Sequence, residues 1–148
     1  MIKNKYMFYL LSFTWGLPMT LIGVITAVIL RAKGYRPKKW GYCYHFEVGE
    51  SWGGINLGPI FVTSKNAPER TKNHEHGHAI QNCNFGLLMP FIVGIPSLLR
   101  SRYHVWYYRN RYPKTKRPLP NYYSVWFENQ ASTLGDEFIR WYNTKQND

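Results

Sequence analysis

Cysteine is scarce in this 148-residue chain: Cys43 and Cys83 form no motif with each other, and two are too few for a disulfide framework. Acidic residues are few as well. Eight Asp and Glu stand against 19 Lys and Arg, giving a formal net charge of +11 and a pI near 9.8. So basic a balance asks for an anionic partner, either nucleic acid or the cytoplasmic leaflet of a membrane. Charge of either sign is missing altogether from Tyr6 to Leu30. There is no internal repeat and no low-complexity tract, and the length favours one domain with a modest core.

The uncharged run "YMFYLLSFTWGLPMTLIGVITAVIL" is long enough, as one helix, to cross a hydrocarbon core of about 30 Å. Gly16 and Pro18 are tolerated in such helices. A cleaved signal peptide would have a shorter apolar core followed by small residues, whereas this run ends in the basic flank "RAKGYRPKKW". Residues 1–40 are therefore expected to be an anchor with one transmembrane helix, and 41–148 the working domain. Lys3 and Lys5 precede the helix, while Arg31, Lys33, Arg36, Lys38 and Lys39 follow it. The heavier basic side stays in the cytoplasm, which places the domain there, against anionic lipids.

Past the flank, residues 42–65 are rich in aromatic and β-branched residues punctuated by glycine, and read as two or three short strands. A helix is expected from Glu69 to about Asn82. Residues 85–99, "FGLLMPFIVGIPSLL", are apolar but too short for a span and carry two prolines, so they read as a membrane-associated or buried segment. Aromatics alternate with arginine and lysine from 102 to 126. Beside a membrane segment that pattern suits the headgroup zone, and no nucleic-acid-binding module accompanies it, so no nucleic-acid partner is expected. Two helices meeting near Gly135 account for the apolar spacing after Ser124.

Three of the five histidines fall within "NHEHGH". His74-Glu75-His76-Gly77-His78 is an H-E-x-x-H match. Residues four apart share a helix face, so His74 and His78 can meet one ion while His76 points elsewhere. Zinc held there lowers the pKa of water towards 7, and Glu75 is placed as the general base. A hydrolytic zinc site takes three protein ligands and leaves a fourth position open. His45, His104, Glu47, Glu50 and Glu128 are candidates for the third. Glu128 stands out, because next to Trp126 and Phe127 a buried carboxylate is costly unless something positive pairs with it. Cys83 is off the ligand face and reads as a small core residue. His104 and Tyr123 are the groups to inspect as partners of an oxyanion.

"HEHGH" followed by a Glu-bearing helix resembles the gluzincin class of zincin metallopeptidases. More closely, "GGINLGPIFV", "NHEHGHAIQ", "FGLLMPFIVGIPS" and "VWFENQASTLG" resemble small bacterial membrane-associated zincin-like proteins, over roughly residues 53–135. The resemblance implies an α+β, minimal zincin-like fold: a short antiparallel sheet, an active-site helix and a Glu-bearing helix. It implies His74, His78 and Glu128 as zinc ligands, Glu75 as base, and the strand around Ile55 and Leu57 as the edge that pairs with an extended polypeptide substrate. Where the family carries an aspartate four residues after the ligand glutamate, this chain has Ser132, a neutral acceptor for the first histidine. The expected activity is zinc-dependent peptide-bond hydrolysis at a membrane. The alternative is a non-catalytic, zinc-stabilised membrane adaptor, with His45, Cys83 or His76 closing the metal site.

Overall fold

The computed structural model describes residues 2–147. Helices α1 (Lys5–Phe13) and α2 (Leu17–Ala32) come first, then strands β1 (Lys38–Trp40), β2 (Cys43–Glu47), β3 (Gly54–Leu57) and β4 (Ile60–Thr63). Helix α3 (Glu69–Phe85) runs through one turn of 3₁₀ helix and a π-helical turn, Pro90–Gly94, into α4 (Ile95–Asn110). The short α5 (Tyr112–Thr115), a 3₁₀ turn at Tyr122–Ser124 and the long α6 (Trp126–Asn147) complete the α+β fold.

The apolar amino-terminal run is not one helix. It breaks at Thr14–Gly16, and the two halves bend by 94°. Pro18, in the first turn of α2, supplies no N–H to the preceding turn and its ring would clash there in a continuous helix. The bend is held by the Thr20 hydroxyl, which donates to the Ser12 carbonyl at 2.7 Å, and by the Asn82 amide, which donates to the Gly16 carbonyl at 3.2 Å. No single helix among the described residues is long and apolar enough to cross a membrane. A second bent pair, Glu69–Leu88 with Pro90–Asn110, turns by 117°.

Nor does residue 40 divide the packing. Phe8 of α1 shares a buried cluster with Tyr42, Cys43, Phe61, Ile80 and Phe138, and Met19 of α2 shares another with Leu57, Met89, Val93 and Phe127. The amino-terminal helices are part of the domain's core.

The sheet is mixed where an antiparallel one was expected. Its order is β1-β2-β4-β3: β1 and β3 pair antiparallel with their neighbours, but β2 and β4 run parallel, with His45 opposite Phe61. Strand β4 carries Phe61, Val62 and Thr63, all buried, and such a continuous run belongs in a sheet centre covered on both faces. Strand β3, with Gly54 and Asn56, is left at the edge. The two join through Gly58-Pro59, a two-residue turn needing positive φ at its first position, which Gly58 adopts at +74°. The Asn56 amide donates to the Gly58 and Glu75 carbonyls, both at 2.9 Å, fixing this edge to α3.

Helix α3 is polar yet buried without a gap from His74 to Cys83. Its closest neighbour is α6, which is continuous through Gly135. Gly135 serves approach rather than a break: a Cβ there would collide with the Asn73 carbonyl, and one on Gly77 would collide with the Ala131 carbonyl. Two bare glycines thus let the helices touch backbone to backbone, and that contact carries Glu128 onto the histidine face.

Candidate metal centre

His74, Glu75 and His78 come from the middle of α3, and Glu128 from the first turn of α6. His74 Nε2 and His78 Nε2 lie 3.1 Å apart. Glu128 Oε2 sits 3.0 Å from the first and 3.5 Å from the second. All three residues are buried, and one ligand atom from each falls within 4.8 Å of the others. The expected ligand trio is brought together.

The surrounding hydrogen bonds fix which nitrogens carry protons. Ser132 Oγ gives its single proton to the Glu128 carbonyl at 3.1 Å, so it accepts from His74 Nδ1 at 2.9 Å. The Gln81 amide donates to the Phe127 carbonyl and to Gln130 Oε1, both at 2.9 Å, which leaves its oxygen to accept from His78 Nδ1 at 2.8 Å. With both protons on Nδ1, two Nε2 lone pairs face each other and the Glu128 carboxylate. Glu128 Oε2 is buried with no donor. Three converging acceptors repel one another unless a cation lies among them, so the donor set fits a metal ion.

Burial opposes charge on each member of the trio. Even so, where a proton on Nε2 takes the place of a metal cation, bonding to Glu128 lifts His78 above its ordinary value, and the two imidazoles hold Glu128 well below the usual carboxylate range. His74 is lowered, chiefly by its own burial.

Glu75 is buried beside the trio. Its Oε2 has no partner, and burial pushes its carboxyl up to about 7. Gly54 of the edge strand faces it so closely that a Cβ would lie 2.6 Å from Oε1. The three α3 side chains His74, Glu75 and His78 line a cavity of about 820 Å³. Ile55 and Asn56 form one wall and Met89 and Val93 another. Leu57, expected beside Ile55 at the substrate edge, is buried under Met19 and does not line the cavity. The period of a strand explains it: Leu57 and Ile55 share a face, but α2 crosses the strand's end, with the Leu57 carbonyl against Gly23.

The other ligand candidates lie elsewhere. His45 stacks on Phe61 at 5.0 Å and Glu47 pairs with Lys38 at 2.7 Å. Glu50 is in an exposed bend, and His104 packs its ring edge-on to Tyr122 at 5.4 Å. His76 faces the core, accepting from the Tyr42 N–H at 3.3 Å and stacking on Phe138 at 4.2 Å, and its burial lowers its pKa to about 3. Cys83 lies 3.4 Å from Ser12. None of the residues that would close a structural site is at the trio. Tyr123 lines the cavity, edge-on to His74 at 5.1 Å with the Arg70 guanidinium 5.3 Å from its ring.

Tyr122, one of several tyrosines the sequence offers to an oxyanion, instead donates to Glu128 Oε1 at 3.1 Å and lies 3.1 Å from Ser97 Oγ of α4. No local pattern marks it, since it reaches Glu128 from the 3₁₀ turn before α6. Gln81 had a signal: it follows His78 by three residues, the spacing of helical neighbours. No family model matches this chain, and no curated protein or solved structure does either.

Proposed function

We propose that the protein is a membrane-attached zinc metallopeptidase. The observation carrying this reading is the pairing of three convergent, donor-free ligand atoms with the unpartnered Glu75 carboxylate, where His74, Glu75 and His78 line one cavity and Glu128 is buried behind them. Two imidazoles and one carboxylate with an open fourth position make a hydrolytic zinc set. When bound, the ion supplies Lewis acidity, acidifying water and polarising a carbonyl. Glu75 accepts the proton of the attacking water, whose oxygen bonds to the scissile carbonyl carbon. As the C–N bond breaks, the same carboxyl returns that proton to the leaving amine, and the second water proton passes from the new carboxylic acid to the amine, giving a carboxylate and an ammonium product. Tyr123, which lines the cavity edge-on to His74, is the phenol we assign to the oxyanion, the Tyr122 hydroxyl being committed to Glu128. The open edge of β3 holds an extended polypeptide by backbone pairing, with Ile55 against its side chains.

Attachment rests on the exposed apolar faces of α1 and α2 and on the basic residues beside them. Bent by 94°, α1 and α2 lie along the lipid surface rather than cross it, which lets Lys3 and Lys5 meet the same headgroup layer as Arg31 to Lys39. This differs from the single crossing expected of a straight helix; the basic flanks support a position at the cytoplasmic leaflet with anionic lipid as partner.

The test is a Glu75→Gln variant of the full chain, assayed for bound zinc and for cleavage of an unfolded polypeptide. Zinc retained with cleavage abolished is the expected result. Cleavage unchanged in the variant would remove Glu75 as base, and a wild type that binds zinc but cleaves nothing would favour the adaptor.

A further inference from the structure

Resting on that reading, we infer that the cavity takes its substrate sideways from the lipid, and that the substrate is a polypeptide whose apolar segment lies in or on the bilayer. The cavity changes character from floor to mouth. Its floor is His74, Glu75 and His78, all buried. Its mouth is formed by Ile22 of α2, Ile55 of β3, and Ile95, Leu98 and Val105 of α4, which line the cavity and are also exposed, from 43% at Ile55 to 64% at Val105. Trp52 and Arg102 are the other large exposed side chains at this rim, which is therefore chiefly apolar with a single cation, an opening ill suited to drawing polypeptides from water.

The helices flanking the mouth continue this surface outward. Helix α2 exposes Leu21, Ile25, Val28 and Ile29, and the α4 side exposes Leu88, Phe91 and Leu99. Apolar surface of that extent marks a contact with lipid or partner. Charge selects lipid: Arg31 and Lys33 close α2, while Arg100, Arg102, Arg109 and Arg111 alternate along α4 with exposed Tyr103, Trp106 and Tyr108. Basic and aromatic residues bordering an apolar face suit an anionic headgroup layer. With both flanking helices against lipid, the mouth opens at the depth of the acyl chains.

The same geometry says how the segment sits. Gly54 has no side chain, and β3 offers its unpaired edge beside Glu75. An extended stretch can pair there and bring a backbone carbonyl to the trio, while its apolar side chains stay among Ile22, Ile95 and Leu98. A water-borne, charged peptide would have to leave its hydration shell at the mouth, which costs more than the edge pairing returns.

The experiment uses the full chain in vesicles of phosphatidylcholine and phosphatidylglycerol, with a single-span model polypeptide as probe. A photo-crosslinking residue replaces Leu98 or, as a remote control, Lys145, in the Glu75→Gln background, so capture is read without turnover. Capture of the apolar segment from position 98 and not from 145 is expected. In the otherwise native chain, Val28→Glu and Phe91→Glu, both on the exposed apolar surface outside the cavity, should each lower cleavage of the vesicle-borne probe by about tenfold or more, with a short uncharged soluble peptide cut as before. Capture of lipid alone, or equal capture from both positions, overturns the inference. If the soluble peptide is cut but the segment is neither captured nor cleaved, the substrate class fails and the peptidase stands. If the segment is captured at position 98 but the native chain cleaves nothing, the peptidase fails and the lipid-side site stands.

Discussion

Ser132 holds His74 through a neutral bond: its hydroxyl accepts from Nδ1 at 2.9 Å and passes its own proton to the Glu128 carbonyl, 3.1 Å away. One serine therefore joins the first imidazole of α3 to the backbone of the helix that bears the third ligand. A carboxylate in that place would make the imidazole more basic and its ring stiffer. Ser132→Asp should raise zinc affinity about tenfold or more, and Ser132→Ala should lower it by a similar factor. Competition with a fluorescent chelator measures both, and equal affinities in all three proteins would show that this contact does not tune the site.

Gly77 and Gly135 set the distance between α3 and α6. Gly77→Ala and Gly135→Ala each force a methyl group against a carbonyl of the facing helix, and should cost about 1–3 kcal/mol. Because Glu128 rides on α6, the same variants should bind zinc more weakly. Thermal unfolding and the chelator titration should move together. A large loss of stability with unaltered zinc affinity would mean that Glu128 is positioned by something else, Tyr122 being the first suspect.

Gly54 tests the edge strand. A Cβ there would press on Glu75 Oε1. Gly54→Ala should keep zinc, since no ligand is touched, but lose most cleavage. Full activity in that variant would argue against Glu75 acting from its present position.

His45 gives a dependence on pH. Its two ring nitrogens are buried without hydrogen-bond partners, and its pKa is lowered, first by burial and then by Lys72, with Lys38 adding to them and Glu47 opposing at 3.5 Å. The unfolded chain takes up a proton here near pH 6.5, before the folded one does. The neutral ring's contribution is therefore complete above pH 6.5 and is lost as pH falls through the lower folded value. His45→Phe keeps the stacking on Phe61 and removes two unpartnered nitrogens, so it should gain about 1 kcal/mol at neutral pH and lose less on acidification. Unfolding curves at pH 7.5 and pH 5 test this; parallel losses in both proteins would exclude His45 as the titrating group.

The ligand trio was legible because two of its members obey a local rule: His74 and His78 are one helical turn apart, and the helix does form. Glu128 could be singled out by its setting just after Trp126 and Phe127, since a carboxylate among apolar residues needs a cation. What placed it, the glycine contact between α3 and α6, is a tertiary fact that Gly135 concealed by reading as a helix break. The amino-terminal run misled for the opposite reason. Its composition suits a straight span, but Pro18 and the pairing of Ser12 with Thr20 bend it back, and Phe8 and Met19 pack into the core. Strand existence followed from residue type, but strand order did not: only the burial of Phe61 and Val62 shows why β4 lies inside and β3 outside.

The central claim is that His74, His78 and Glu128 hold one zinc ion with a position left for water. X-ray absorption at the zinc edge of the purified full chain tests it most directly. The account predicts one zinc per chain with two imidazole nitrogens and two oxygens, all at about 2.0–2.2 Å, and loss of the metal in Glu128→Ala. A sulfur neighbour at about 2.3 Å, a third imidazole, or a wild-type chain without zinc would contradict it.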